Sequence, residues 1–454
     1  MCQNLVNKYN VAGPRYTSYP TVPYWDSDTF SLQQWKASLR QSFEESNTNE
    51  GLSLYIHLPF CESLCTFCGC HKRITKRHDV ELPYINALLK EWRLYRDLLG
   101  TKPKLKELHL GGGTPTFFSP ENLKLLISEL LRVAAIDKDY EFSFEGHPNN
   151  TTEAHLQTLF DLGFRRVSYG VQDYNLKIQQ AINRVQPFEN VKRATDLARK
   201  IGYTSVGHDI IFGLPFQTEA DVIATINKTR ALMPDRIAFY SYAHVPWIKG
   251  NGQRGFNDED LPSGDSKRQQ YETGKWLLEN GGYIEIGMDH FALKTDGLYK
   301  AMTYQTLHRN FMGYTASKTK AMIGLGVSAI SDSWYGFAQN VKSIEDYYRL
   351  VEDGVIPVYR GHILNTEDLI IRQHILNLMC HFKTSWLHAE ATFSELPEVL
   401  IKLKEFELDG LLQFERKQVF VTEKGKPFIR NICMAFDLLL QRKKPDTRLF
   451  SMTI

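Results

Sequence analysis

The sequence has no long apolar run. No stretch approaches the roughly 20 residues needed to cross a bilayer, and residues 1–10 lack the apolar centre of a secretory leader. There is no excess of charge of either sign: 54 Lys and Arg stand against 52 Asp and Glu, a formal net charge of +2. That balance provides no global attraction to nucleic acid or to an anionic membrane surface. Low-complexity linkers and internal repeats are missing as well. Cysteine is scarce outside one segment, and seven thiols in 454 residues without a leader argue for a reducing compartment over a disulfide framework. A soluble cytoplasmic protein is the expected class. Hydrophobic residues at 43% and aromatics at 12% support a large core. The length suits a big barrel with an appendage.

What is there is concentrated in one loop. Four cysteines, Cys61, Cys65, Cys68 and Cys70, fall within ten positions, directly after an apolar run over 54–60 that reads as a buried strand. The first three are spaced Cys-x3-Cys-x2-Cys. A loop leaving a strand can turn three thiolates toward one point. Three are one too few for a closed four-cysteine cluster site, which leaves one iron of a [4Fe-4S] cluster open to another ligand. A zinc site wants four ligands, usually as two separated pairs, and no second Cys/His pair of that kind follows. Cys70 as a fourth ligand stands one residue from Cys68, a gap that in extended chain points the sulfurs apart. Reduced structural thiols are the third reading. The spacing favours the cluster.

From residue 53 onward, apolar strands alternate with amphipathic helices. Strands are expected over 53–59, 107–110, 141–145, 166–170, 205–212, 236–242 and 283–288. Helices are expected over 81–99, 120–134, 152–162, 190–201, 219–232 and 266–280. Repeated βα units imply a parallel sheet covered by helices, either an open doubly wound sheet or a full or partial TIM-like barrel. In both cases the chemistry belongs at the carboxyl ends of the strands. The motifs fall there: Gly-Gly-Gly-Thr-Pro-Thr over 111–116, Glu145-Gly-His-Pro, Gly170-Val-Gln-Asp, His208-Asp through Gly213-Leu-Pro, and Tyr242-Ala-His. Three glycines let the backbone approach a ligand and leave amides free for a carboxylate or phosphate. They form neither a Walker loop nor a GxGxxG fingerprint. His109, between two leucines, reads as a satisfied structural histidine. Asp209, in an apolar strand, needs a partner, and a ribose or an arginine suits it. Glycines over 324–326 suggest backbone packed closely on backbone.

Both ends differ from the middle. Residues 14–24 hold three prolines and three tyrosines, an extended arm expected to strap its rings onto the body. From about residue 356, a helix opening at Asn365 and running to 381, a helix over 397–409, a hairpin over 411–415 and 418–422, and a last helix over 426–442 form an accessory unit. A winged-helix DNA binder has a similar order, but the mixed charge and the upstream loop argue against it. The expected division is an arm over 1–50, a barrel over 51–355 and a C-terminal domain over 356–454.

With these motifs in hand, the chain resembles the oxygen-independent coproporphyrinogen III oxidases, radical S-adenosylmethionine (SAM) enzymes of haem synthesis. The resemblance rests on Gly-Pro-Arg-Tyr-Thr-Ser-Tyr-Pro over 13–20, Cys61 through Cys70, the glycine run, Gly170-Val-Gln-Asp, Gly213-Leu-Pro and Tyr242-Ala-His. It continues through Gly287-Met-Asp-His-Phe, His308-Arg-Asn-Phe, the 324–330 segment and Arg430-Asn-Ile-Cys-Met. It implies a partial (β/α)6 radical SAM barrel with an N-terminal arm and a small, mostly helical C-terminal domain. Cys61, Cys65 and Cys68 would ligate one [4Fe-4S] cluster, with Cys70 a family cysteine that does not. Of two SAM molecules, one would contact Tyr55, Gly112, Glu145 and Ile330. The other would contact Phe67, Gly113, Thr114, Gln172, Arg184, Asp209 and Ala243. The implied reaction converts two propionates of coproporphyrinogen III to vinyl groups, giving protoporphyrinogen IX, with electrons exchanged through a partner such as a flavodoxin or ferredoxin. A monomer is expected. Arg15 and Arg309 are candidate partners for the propionates. The related haem chaperones are the alternative, yet they usually lack Cys70 and the tyrosine-rich arm. One departure concerns the family's Glu-x-Asp-Pro turn, which here is Glu145-Gly146-His147-Pro148.

Overall fold

The computed structural model describes residues 3–26, 28–247, 253, 256–443 and 449–453. Its frame is one sheet of twelve strands. Six of them carry the βα units: β1 (Leu52–Leu58), β2 (Lys104–Gly112), β3 (Ala135–Gly146), β4 (Arg166–Gln172), β5 (Ser205–Phe212) and β6 (Arg236–Ser241). Six more extend the sheet: β7 (Ile284–Ile286), β8 (His290–Ala292), β9 (Ala321–Leu325), β10 (Ile330–Ser333), β11 (Gly336–Asn340) and β12 (Val358–Ile363). The spatial order is β12-β11-β10-β9-β1-β2-β3-β4-β5-β6-β8-β7. Pairing is parallel from β9 across to β6 and antiparallel at both margins.

Sequence left open sheet and barrel as alternatives, and side-chain placement decides between them. Glu107, His109, Glu145, Ser168, Asp209, Tyr240 and His290, from β2 to β8, line one internal cavity. A flat sheet cannot bring residues from six strands to one hollow. The sheet is therefore curled, and since among the described residues its two margins pair with nothing across the gap it is a partial barrel. The strand expected over 283–288 is short, Ile284–Ile286, and pairs antiparallel with β8, so it edges the sheet and begins no further βα unit.

Local chemistry places the helices. Ser119 caps the helix Pro120–Arg132, with proline in its first turn, and capping boxes at Thr152, Thr218 and Asn365 open three others. The outer face of the sheet and the helices enclose the main core, which includes Leu54, Ile56, Leu108, Phe142, Phe144, Val167 and Ile323. One buried carboxylate ties helix Glu81–Leu99 to the sheet's margin: Glu91 accepts from the Tyr347 hydroxyl at 2.6 Å, the Asn340 amide at 2.7 Å and the Gly326 N–H at 2.8 Å. Burial pushes it up to about 7, against those three donors.

A second core joins the two ends of the chain. Leu5, Tyr9, Tyr16 and Tyr19 lie among Ile371, Leu378, Val399, Leu403, Phe428 and Ile432, from helices Thr366–His381, Leu396–Leu408 and the segment after them. The arm does strap its tyrosines onto the body, with Tyr16 and Tyr19 each 2% exposed. Ala12 bridges Met452, and Thr453 donates its hydroxyl to the Tyr9 carbonyl at 2.6 Å. The helix expected over 426–442 is broken at Asp437. Its carboxylate accepts from the Leu440 N–H at 2.9 Å and from the buried Tyr16 hydroxyl at 3.1 Å, so it ends one helix and caps the next. Among the described residues no helix is long and apolar enough to cross a membrane.

Candidate active site

At the carboxyl ends of β1 to β6 lies a cavity of about 570 Å³, within the range of small-molecule and cofactor sites. Every one of the six strands or its following loop supplies a wall residue: Cys61 after β1, Gly112 at the end of β2, Glu145 on β3, Gln172 on β4, Asp209 on β5 and Tyr240 on β6.

The cysteine loop forms one side. Its start is anchored by a two-residue parallel pairing of Phe60–Cys61 with Arg73–Ile74, and by the Thr75 N–H donating to the Cys61 carbonyl at 2.9 Å. Its middle is held from across the cavity, where the Thr66 N–H donates to the Ile182 carbonyl at 3.0 Å and the Asn183 amide to the Leu64 carbonyl at 2.7 Å. Cys61, Cys65, Cys68 and Cys70 all face the cavity. Burial raises the Cys61 thiol to about 11, against a bond to Thr114 whose Oγ1 is 3.4 Å away. The Cys70 thiol hydrogen-bonds to the Cys68 sulfur, which with Lys72 lowers the Cys68 pKa, while Cys70 is driven up. The one-residue gap thus does not part the two sulfurs, because the chain turns at Thr66–Phe67 and bends at Cys70, and nothing crowds Gly69.

The glycine run serves that loop in a way sequence did not show. Gly112 has φ +109°, and a Cβ there would fall 2.6 Å from the His57 ring; at Gly113 it would fall 2.6 Å from the Pro59 carbonyl carbon. The amides are not free for a ligand. Gly113 donates to the Leu58 carbonyl at 2.8 Å, Thr114 to the Phe60 carbonyl at 3.0 Å, and Gly112 to the Glu145 carboxylate. The run is a clasp on the cysteine loop.

Glu145 is half exposed, to the cavity and not to the surface. Burial works to raise its pKa, but the His109 imidazole, 3.6 Å away, and the Gly112 amide outweigh that and hold the carboxyl below its ordinary value. His109 is satisfied on its other nitrogen by the Ser143 hydroxyl at 2.8 Å. Two strands on, Asp209 accepts from Ser168 at 3.1 Å. Burial and the neighbouring Glu145 charge raise it to about 7, against Ser168, Arg184 and Arg166. Arg184 donates to the Gly170 carbonyl at 2.8 Å and points its other Nη at Cys65 Sγ, 3.7 Å away, while its buried Nε has no partner. Gly170 makes room for this, since a Cβ would meet Arg184 at 2.9 Å.

Of the residues expected to contact SAM, the cavity wall gathers Phe67, Gly112, Gly113, Thr114, Glu145, Gln172, Arg184 and Asp209. Three stand off it. The Tyr55 hydroxyl turns to His57 Nδ1 at 3.0 Å, His57 being kept neutral by burial and anchored on the His71 carbonyl. Ile330 packs toward Trp25 and Phe337, and Ala243 offers its carbonyl to the Gln253 side chain at 2.8 Å. Arg15 and Arg309 lie at the seam of arm and barrel: Arg15 pairs with Asp289 at 3.3 Å, and Arg309 donates to the carbonyls of Arg15 and Tyr16. Sequence reasoning missed Ser168, Tyr240 and His147 on the wall. Ser168 and Tyr240 lie on strands expected to reach the site, but a serine or tyrosine in an apolar strand carries no mark of which face it takes. His147 occupies the departure from the family's acidic turn. Burial keeps it neutral, with a pKa of about 3, and its N–H donates to Thr116 at 3.3 Å.

Four thiols, Cys61, Cys65, Cys68 and Cys70, share one wall, and thiolates are the donors an iron–sulfur cluster takes. The model of the Radical SAM superfamily matches residues 55–229, the span from β1 to the helix after β5. Fold, thiol wall and match define the class: this is a radical SAM protein, a class that carries a [4Fe-4S] cluster and SAM. Within it, the chain is 39% identical over 443 residues to the oxygen-independent coproporphyrinogen III oxidase of Helicobacter pylori strain 26695, covering 96% of each. It is 37% identical over 444 residues to that of Pseudomonas aeruginosa, covering 96% of this chain and 95% of the relative. The solved Escherichia coli coproporphyrinogen III oxidase superposes with a TM-score of 0.86 at 36% identity, over 93% of this chain and 97% of that one. The chain belongs to the oxygen-independent coproporphyrinogen III oxidase family.

Proposed function

We propose that the chain oxidatively decarboxylates two propionate side chains of coproporphyrinogen III to vinyl groups, giving protoporphyrinogen IX without oxygen. The observation that carries this reading is the one cavity to which all six βα strand ends contribute, whose wall carries four thiols together with Glu145, Asp209 and Arg184. Each round removes one hydrogen atom from the propionate β-carbon, one carbon dioxide and one electron, and leaves the vinyl group. When bound, the cluster and SAM supply a carbon-centred radical able to take that hydrogen.

The residues' tasks are to bind, orient and exclude water. Cys61, Cys65 and Cys68 would hold the cluster. The Glu145 carboxylate, kept ionised, suits the amino group or ribose hydroxyls of SAM. Arg184, with an unpartnered Nε and no ion pair among the described residues, suits the carboxylate of a second SAM molecule, and Asp209 suits a ribose. Cys70, bonded to Cys68, is a neighbour of the cluster and not its ligand. Arg15 and Arg309 would attract substrate propionates; a buried Arg309 Nη without a partner supports this. The electron donor would be a small redox protein of the flavodoxin or ferredoxin kind, and the chain would act as a cytoplasmic monomer.

The test is anaerobic incubation of reconstituted protein with coproporphyrinogen III, SAM and a reductant. Vinyl product and two 5′-deoxyadenosines for each two decarboxylations are expected. Deoxyadenosine without vinyl product overturns the reading and points to haem transfer or another substrate. Normal turnover by both Arg15→Ala and Arg309→Ala would remove those two residues from substrate binding.

A further inference from the structure

A second, much smaller cavity of about 50 Å³ lies where arm, barrel rim and C-terminal region meet. Its walls carry Arg15 from the arm, Lys267 from helix Gly264–Asn280, Asp289 from the turn between β7 and β8, and Arg430 from helix Ile429–Phe436. Both cavities reach the ends of β5 and β6 and flank them from opposite faces: Ile211 and Tyr240 line the larger one, and the next residues along, Phe212 and Ser241, line the smaller.

Charge does not balance there. Asp289 pairs with Arg15 at 3.3 Å. Lys267 donates from Nζ to the Tyr242 carbonyl at 2.9 Å, and Arg430 donates to the carbonyls of Gly13, Pro14 and Met452. Neither cation has an ion-pair partner among the described residues. The other wall carboxylate, Glu285, is taken by Lys275 and Tyr271. Two further wall cations, Arg268 and Lys426, are taken by Glu272 and Glu423. Three cations therefore remain to one carboxylate, an arrangement that costs free energy until an anion enters. Burial, with the charges of Arg15 and Arg430, depresses Lys267 to about 7. The volume suits a carboxylate and is too small for a tetrapyrrole ring.

We propose that this cavity is a carboxylate subsite in which Lys267 and Arg15 hold one propionate of the tetrapyrrole while another propionate is presented to the large cavity. The proposal rests on the function given above. It adds Lys267, which no motif singled out, as a substrate-positioning residue, and it explains why a cation is buried against a lone carbonyl. The Arg430 guanidinium, spent on arm carbonyls, contributes charge and the wall. A free inorganic oxyanion has the same chemistry as a propionate, and the experiment separates the two.

Reconstituted enzyme with SAM is titrated with coproporphyrin III, the stable oxidised tetracarboxylate, and with its tetramethyl ester, following porphyrin fluorescence. Lys267→Met is expected to weaken the tetracarboxylate by about tenfold or more, as for a lost charged hydrogen bond. It should leave ester affinity, iron content and substrate-independent SAM cleavage at wild-type values. Arg15→Gln is measured alongside and should show the same acid-against-ester contrast, so a poorly folding Lys267 variant does not end the test. Unchanged tetracarboxylate affinity in both variants overturns the proposal. If phosphate protects wild type from thermal unfolding and not Lys267→Met, while porphyrin affinity is unchanged, the cavity takes a free oxyanion and the propionate assignment is overturned. Wild type that binds coproporphyrin in this acid-dependent way yet forms no vinyl product refutes the decarboxylase reading and leaves the subsite standing.

Discussion

Glu145 and Asp209 face one cavity from strands two apart, and their surroundings push them in opposite directions. Glu145 sits by His109 and the Gly112 amide and is held low; Asp209 sits by Glu145 with one serine donor and is raised to about 7. In the unfolded chain an aspartate titrates near 4. Below that pH both states hold the proton, and between about 4 and 7 only the folded chain does, so stability falls as pH rises through this window. The melting temperature of the cofactor-free protein should therefore drop from pH 5 to pH 8, and Asp209→Asn should flatten the drop. A slope unchanged by that substitution would disconnect Asp209 from the effect. Cys61→Ser, Cys65→Ser and Cys68→Ser are each expected to abolish the iron–sulfide absorption of reconstituted protein, while Cys70→Ser should retain it. Iron and sulfide assays after anaerobic gel filtration read both outcomes. His109 was legible as a satisfied histidine, since an imidazole between two leucines must be paired. That its other nitrogen faces Glu145 was not, because the register that sets His109 beside Ser143, and so diagonal to Glu145, is not written in either strand.

The cysteine loop and the glycine run work as one element. Gly113 lies against Pro59 with no room for a Cβ, and its amide closes the backbone onto Leu58. Gly113→Ala must displace backbone, not the tip of a flexible side chain, and should cost about 1–3 kcal/mol together with loss of iron retention. Chemical denaturation and iron content, read on the same preparation, test this. Ala at Gly69, where nothing lies within 4 Å, is the matched control and should be near neutral. The strands were legible because buried parallel strands are short apolar runs, and the capped helices because Ser, Thr and Asn precede them. The use of the glycine amides was not legible: composition marks a place where backbone comes close, not whether its partner is a ligand or another loop. Likewise the bend that brings Cys68 and Cys70 together is invisible in a spacing read as extended chain.

At the scale of the molecule, the arm and the C-terminal helices share one core. Arg430 holds the carbonyls of Gly13 and Pro14, Arg309 those of Arg15 and Tyr16, and Tyr16 and Tyr19 enter the C-terminal core. Tyr16→Ala empties a ring site and strands Asp437, and should cost about 3–5 kcal/mol. Limited proteolysis is expected to cut that variant within the C-terminal region before the barrel. Simultaneous digestion of both would contradict a separate second core. The arm's packing role was readable from its prolines and tyrosines; its partners were not, since Asp289 and Asp437 among them lie 274 and 421 residues away in the chain. That separation also has a consequence during synthesis. Residues 9–19 leave the ribosome before the helices they pack against. Until those helices are made, Tyr9, Tyr16 and Tyr19 lack the apolar partners of their core, and the nascent chain has to keep three aromatic rings out of other contacts while the whole barrel is synthesised.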